Sequence, residues 1–352
     1  MSDSGPATAL TYTDDAVGMT PGSSDWDAIF GYYPVLFNTE AEVGRLNPNN
    51  FAQFASGGSV DITSGSAGDV MIAFPRMGLS VTRTSTTINI KLTDNPNNPS
   101  FSYYAHQRGN TQKNIFYLGA YESYVASNQM RSLSAKTPTA NISFENYLAC
   151  GRGLGYGYDM AAMYQVYYVM TLFLLKYKTR DSQAAVGMGK TASVANSGAL
   201  NNAGMNYGST AGTYGVKLFG LENFWGNMWE FVAGVIKSGS RVLVATDNFN
   251  ANGSGYIDAG AIGNVTGYTY IKDILGITAA PFIPTASTGN QTANNYYCDC
   301  GNVSVDSSIM PMRARGYYSW GAAANKNWPG IFMQGLDLST ADTSIASRLM
   351  YL

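Results

Sequence analysis

The stretch GLENFWGNMWEF, Gly220 to Phe231, decides how this chain is to be read. It brings Phe224, Trp225, Trp229 and Phe231 together around a Gly-Asn step, with Phe219 just ahead of it. Rings of this size gain roughly 25 cal/mol for every Å² of apolar surface withdrawn from water, so the segment has to be packed inside something. Gly220 and Gly226 allow the tight turns that fold such rings back on one another. The stretch therefore reads as the architectural centre of a fold, and the functional surface is to be sought elsewhere.

Around this knot the sequence is polar without being charged. Only 12% of the 352 residues are Asp, Glu, Lys or Arg, against a usual share of about 25%. Asn, Ser, Thr, Gly and Tyr supply the polarity, and 39 Gly with 25 Tyr rule out a mostly helical chain. A net charge of -2 lacks the basic footprint of a nucleic-acid-binding protein. His106 is the single histidine, expected in an exposed or loop position, so one chain cannot build a His-based triad or a His-rich zinc site. Three cysteines, Cys150, Cys298 and Cys300, make no disulfide framework, and CDC at 298 to 300 is expected as free thiols in a turn. The N-terminus shows no basic start followed by an apolar run, so no signal peptide is expected. The longest apolar stretch, MAAMYQVYYVMTLFLLKYK from Met160, is broken by Gln165 and Thr171. It reads as a buried helix rather than a membrane span, capped by Asp159 and ended by Lys176 and Lys178.

Along the chain, residues 1 to about 60 read as an arm or irregular packing segment, with WDAIFGYYPVLF at 26 to 37 as its main apolar cluster. DVMIAFPRMGLSVTRTSTTINIKLTD then carries strand-like runs, including the alternation of Ile88, Ile90 and Leu92, and DNPNNPS closes them with turns. A boundary near residue 105 gives a β-rich N-terminal region, 1–105, and a second region, 106–352. In the second, NIFYLGAYESYV reads as a strand, NISFENYLACG as a helix, and RVLVATD as the clearest strand in a loop-dominated stretch from about 187 to 310. The expected class is α+β, with a small twisted antiparallel sheet, one or two helices and long loops.

GLENFWGNMWEF resembles the signature of the C-type-lectin-like fold shared by formylglycine-generating enzymes and by variable proteins of diversity-generating retroelements, including phage tropism determinants. FYLGAYESY, 116 to 124, looks like the strand that opens that domain; RARGYYSW and the terminal SRLMYL look like those that close it. GDVMIAFPRM resembles the start of phage tail proteins carrying such a domain. The resemblance implies a tail receptor-binding protein in the virion, made in a bacterial cytoplasm. Its N-terminal region would attach to other tail proteins and oligomerise, as a homotrimer, and its partner would be a host cell-surface receptor. It would neither bind nucleic acid nor insert in a membrane. In that family the last forty or so residues are diversified at adenines, commonly in Asn codons. The ligand-binding positions implied, within about 316–347, are Tyr317, Tyr318, Ser319, Trp320, Ala322, Ala323, Ala324, Asn325, Asn327, Trp328, Asp337, Ser339, Thr340, Asp342, Ser344 and Ala346. Ile331, Phe332, Leu336, Leu338, Ile345 and Leu349 would be the fixed, buried set between them. Tyr and Trp among Ser, Asn and Gly also suit a binding face on physical grounds, since rigid rings give contact area at small entropy loss.

Two further implications concern metals. The enzymes of this fold bind copper through a cysteine pair near the C-terminus, but no cysteine follows Cys300, and the spacing of Cys298 and Cys300 does not reproduce that pair. An oxidase of that type, or a structural tail protein without a ligand, is the alternative to a binding protein that requires no cofactor and catalyses no reaction. The enzymes' structural calcium, carried over residue by residue, would take the side chains of Asn223 and Glu230 and the carbonyls of Gly226 and Met228.

Overall fold

The structure, a computed structural model, describes residues 7–191, 193–288, 296–315, 330–336 and 340–352. A short helix, α1 (Asp25–Phe30), precedes the meander β1 (Tyr33–Asn38), β2 (Ala41–Asn47) and β3 (Asn50–Phe54); β4 (Asp69–Pro75) is followed by a hairpin of β5 (Gly78–Arg83) and β6 (Ile88–Thr93). The small hairpin β7 (Gln107–Arg108) and β8 (Thr111–Gln112) leads into β9 (Ile115–Glu122), and a second, β10 (Tyr124–Ala126) and β11 (Gln129–Arg131), comes after it. Then come α2 (Phe144–Arg152), β12 (Tyr158–Met160), α3 (Met163–Tyr177) and the one-turn α4 (Ser182–Ala185). The hairpin β13 (Lys217–Leu218) and β14 (Leu221–Glu222) opens the last part, which continues through β15 (Trp229–Ser238), β16 (Arg241–Val244), β17 (Ile257–Ala261), β18 (Val265–Ile274) and β19 (Pro284–Ser287). It ends with β20 (Cys300–Val303), β21 (Ile309–Ala314), β22 (Gln334–Gly335), β23 (Ile345–Ala346) and β24 (Arg348–Tyr351). The class is α+β and mostly sheet, as the composition requires.

Two sheets organise these elements. The first is antiparallel, in the order β12-β24-β9-β4-β1-β2-β3. Its inner strands β1, β4 and β9 are nearly continuous apolar runs because both faces are covered. The second places β15 between β16 and β21, with β23 alongside it in parallel. Within β15 the register slips between Val232 and Ile236, where Gly234 adopts φ 73°; a Cβ there would approach the Ala245 carbonyl to 2.8 Å. Only glycine fits this bulge without strain.

Between the sheets lies α3, apolar almost all round and therefore buried. Tyr168 meets Phe74 and Phe116 of the first sheet at 6.2 and 5.3 Å, while Tyr167 and Phe173 reach Phe282 and Phe332 at 5.4 and 6.2 Å. No helix among the described residues is long and apolar enough to cross a membrane.

Four expectations change. The boundary near 105 does not separate two cores: β4 pairs with β9 and β9 with β24, so strands from both sides share one sheet and one hydrophobic cluster. Residues 33–54 are not an irregular arm but the β1–β3 side of that sheet. Asp159 does not cap α3, whose N-cap is Ala162; its carboxylate instead holds Arg108 and Arg152 at 3.1 and 3.0 Å. His106 is buried, not exposed, with Nε2 at 3.2 Å from the Phe74 carbonyl and its ring against Phe116 and Tyr168.

Candidate functional site

The C-terminal tail begins where β21 ends. There Glu230 of β15 stands opposite Ala314, and Arg315, the next residue, is buried. The Arg315 amide donates to the Met333 carbonyl at 2.9 Å, and its own carbonyl accepts from Gly226 at 2.8 Å. The tail is thus tied at its root to the GLENFWGNMWEF turn.

Residues 330–336 form the next fixed piece. Phe332 fits among Phe282, Tyr297 and Phe173, with ring centroids 5.6, 5.2 and 6.2 Å away. The Ile331 and Phe332 amides donate to Ser182 Oγ and Asp299 Oδ2 at 3.1 and 2.8 Å. Burial, opposed by the Phe332 amide and reinforced by the nearby Asp181, holds the Asp299 carboxyl well above the usual range. Gln334 is spent inside the protein: Nε2 donates to the Phe282 carbonyl at 2.9 Å and Oε1 accepts from Tyr167 at 2.8 Å. Leu336 is fully buried and its amide donates to the Asn302 carbonyl at 3.0 Å.

Of the ligand-binding positions expected, Tyr317, Tyr318, Ser319, Trp320, Ala322, Ala323, Ala324, Asn325, Asn327, Trp328, Asp337 and Ser339 lie outside the described residues, as does Leu338 of the buried set. Thr340 is exposed and Asp342 half-buried, its Oδ1 accepting from the Ser344 amide at 2.7 Å. Ser344 and Ala346 are corrections. Both are buried, because β23 lies beside β15: the Trp229 amide donates to the Ser344 carbonyl at 3.0 Å, and Ala346 is the register partner of Glu230. Small side chains there make room for a neighbouring strand and cannot meet a ligand. Ile331, Phe332, Leu336, Ile345 and Leu349 are buried as expected.

The proposed calcium ligands are a second correction. Glu230 faces two guanidinium groups: Arg315 Nη2 bonds Oε2, and Arg348 Nη2 and Nε reach Oε1 at 2.8 and 3.1 Å. Arg348 also donates to the carbonyls of Gly119 and Glu222 at 2.9 Å each, and to that of Asn223 at 3.4 Å. The one charged oxygen ligand of the expected set, the Glu230 carboxylate, is therefore already taken up by two guanidinium groups. Asn223 Oδ1 has no hydrogen-bond partner among the described residues. Two cations held on Glu230 oppose a third charge beside them, so Asn223, Gly226, Met228 and Glu230 as arranged do not fit a calcium ion. A second buried acid, Glu122, accepts from Asn227 Nδ2 and, at 3.1 Å, from the Met228 amide. Burial first, and then the charge of Glu230, push it well above the usual carboxylate range.

The thiols point the same way as their spacing. Cys298 and Cys300 are buried, and burial together with the neighbouring Asp299 pushes both well above the ordinary thiol range. Neither is poised as a thiolate donor.

Sequence reasoning missed Arg315, Arg348 and Glu122, which build the frame. A signal existed: in so charge-poor a chain, arginines in both closing segments called for acids, and Glu122, Glu222 and Glu230 are the acids of the opening strand and the aromatic stretch. No protein-family model matches this chain, and no curated protein matches it.

Proposed function

We propose that this chain is the receptor-binding protein of a phage or prophage tail, presenting a diversified surface on a C-type-lectin-like frame and catalysing no reaction. It acts as a homotrimer, held to other tail proteins by its N-terminal part, and meets a host cell-surface receptor through side chains of the tail. The observation that carries this reading is the anchoring of the tail. Arg315, Gly330 and Leu336, which adjoin 316–329 and 337–339, are all buried, and Arg315 and Leu336 are bonded into the frame through Gly226 and Asn302. Fixed anchors beside the positions expected to vary are what a diversified surface demands. The pairing of β9 with β24 supports the lectin-like reading, because the strand that resembles the opening of that domain lies beside the one that resembles its close. The burial of Cys298 and Cys300, with no cysteine after them, favours a binding protein over an oxidase.

The test is adhesion. Fluorescently labelled protein should bind some members of a panel of bacterial isolates saturably, and Tyr317→Ala with Tyr318→Ala should weaken that binding at least tenfold. Adhesion to none of them, or adhesion indifferent to both substitutions, overturns the reading. A reverse-transcriptase gene beside a near-copy of the 3′ end of this gene, differing at adenines, is the expected genomic companion.

A further inference from the structure

Between β16 and β17 the chain runs through ATDNFNANGSGY, residues 245–256. Asn252–Gly253, within it, is the one Asn-Gly step in the 352 residues. Asn252 is exposed, and the glycine after it sits at φ 75°, where a Cβ would stand 3.0 Å from Leu243 Cδ1. With no side chain to shield it, the Gly253 amide nitrogen also donates to no group among the described residues.

The neighbouring side chains are held in different ways. Asn252 Oδ1 accepts from the Ser254 amide at 2.9 Å, an Asx turn that arches the side chain over Gly253, while Nδ2 bonds nothing among the described residues. Asn250 is fastened through both of its atoms: Oδ1 accepts from the amides of Asn252 and Ser254 at 3.3 and 3.1 Å, and Nδ2 donates to the carbonyls of Asn248 and Ser254 at 2.9 and 3.0 Å. Asn248, Asn250 and Asn264 are also followed by Phe249, Ala251 and Val265, whose side chains crowd the next amide. Only at Asn252 do a loose amide group, a bonded carbonyl oxygen and an unshielded backbone nitrogen come together.

We propose that Asn252 is a site of self-modification, at which the folded loop deamidates with water as the only co-reactant. The Gly253 nitrogen, on losing its proton to hydroxide, forms a bond to Asn252 Cγ. The Ser254 N–H already lies on the oxygen that becomes the oxyanion, and stays there as its charge develops. The Cγ–Nδ2 bond then breaks, and ammonia leaves with a proton taken from water. Water next adds to the cyclic imide and opens it at either carbonyl, giving an aspartyl or an isoaspartyl linkage; one water is consumed, one ammonia is released and nothing is oxidised. Both products add a negative charge to the loop. The aspartyl form keeps an oxygen for the Ser254 amide, whereas the isoaspartyl form inserts a methylene into the backbone between the two amides that share Asn250 Oδ1, and so loosens the turn into β17.

The full chain is aged at neutral and at mildly alkaline pH and digested with trypsin. Cleavage after Arg241 and Lys272 releases residues 242–272 as one peptide, which carries Asn248, Asn250 and Asn264 as internal controls. Fragmentation should place a gain of one mass unit on Asn252, at least tenfold faster than on the other three and faster at the alkaline pH. Chromatography should resolve two products, one of them a substrate for an isoaspartyl methyltransferase. Asn252→Gln, an exposed change that lengthens the side chain and disfavours ring closure, should abolish the reaction with the thermal midpoint unchanged. An intact Asn252 after weeks at alkaline pH, modification of the other three at a similar rate, or a reaction confined to the chain unfolded in urea overturns the proposal. None of these results bears on adhesion through the tail.

Discussion

Arg348 and Arg315 grip the same carboxylate, Glu230, from two sides, and they are held very differently. Every nitrogen of Arg348 is bonded, to Glu230 and to backbone carbonyls from β9, β14 and the turn after it. Arg315 makes a single hydrogen bond through Nη2 and lies 4.1 Å over the Phe224 ring, while its Nε and Nη1 find no partner among the described residues. Burial and the neighbouring Arg348 push the Arg315 pKa down, and Glu230 opposes them. The contrast separates two tasks at the two ends of the tail. The closing strand is bolted to the frame by side-chain chemistry, whereas the root of the tail is held by backbone bonds and packing.

The largest effect should therefore follow Arg348→Met. It strands the Gly119 and Glu222 carbonyls and leaves Glu230 to Arg315 alone. Breaking a buried ion pair from one side typically removes about 3–5 kcal/mol, read as a drop in the urea midpoint. A loss below about 1 kcal/mol would mean that Arg348 is no bolt, and the contrast would fail.

Acid probes the frame differently. His106 is lowered from 6.5 to about 4, by burial first, so between those values the unfolded chain binds a proton that the folded one refuses. Stability is full above pH 6.5 and lost as the pH falls toward 4, by about 3 kcal/mol in all. Asp69, pushed up to about 6 chiefly by burial, works in the opposite direction over part of this window. The difference between the wild type and His106→Phe isolates the histidine, and its lone ring resonances report the titration directly. A slope unchanged by His106→Phe would place the acid-sensitive step elsewhere.

Arg315→Met should do far less. Its Nε and Nη1 have no partner among the described residues, so the methionine strands nothing there, while one bond to Glu230 is lost and Arg348 remains to neutralise it. Stability should change by less than about 1 kcal/mol in either direction. A loss as large as that of Arg348→Met would show the two arginines to be equivalent after all.

Much of this architecture was legible, and the failures have a common cause. Local pattern exposed α2, α3 and the runs that became β4, β6, β9 and β16, because their apolar periodicity is written in neighbouring residues. The boundary at 105 failed because the pairing of β4, β9 and β24 joins residues far apart in sequence, which no local window contains. Asp159 looked like a helix cap because Arg108, one of its two arginine partners, lies 51 residues away in sequence. Ser344 and Ala346 looked like surface positions for the same reason. A small or polar residue in a tail suggests solvent until a neighbouring strand, here β15, is known to lie against it. What the sequence did carry for the tail was the alternation of fixed apolar positions, since Ile331, Phe332, Leu336, Ile345 and Leu349 are buried whatever stands between them.

The smallest effect on stability should come from the substitutions with the largest effect on binding. If Tyr317 and Tyr318 serve binding as proposed, Tyr317→Ala with Tyr318→Ala leaves the anchors Arg315 and Leu336 untouched. The urea midpoint should then correspond to a change within about 0.5 kcal/mol, the usual range for surface positions. A buried tyrosine behaves otherwise, and truncating one such ring costs about 3–5 kcal/mol. Tyr167→Ala, which deletes a ring packed on Phe282 and the hydrogen bond to Gln334, supplies that reference in the same molecule. If the Tyr317/Tyr318 double variant falls with Tyr167→Ala, the two tyrosines belong to the core and the receptor-facing surface must be sought elsewhere. If it stays with the wild type while adhesion is lost, the root of the tail and the closing strand are divided as the two arginines suggest, one free to vary and the other fixed.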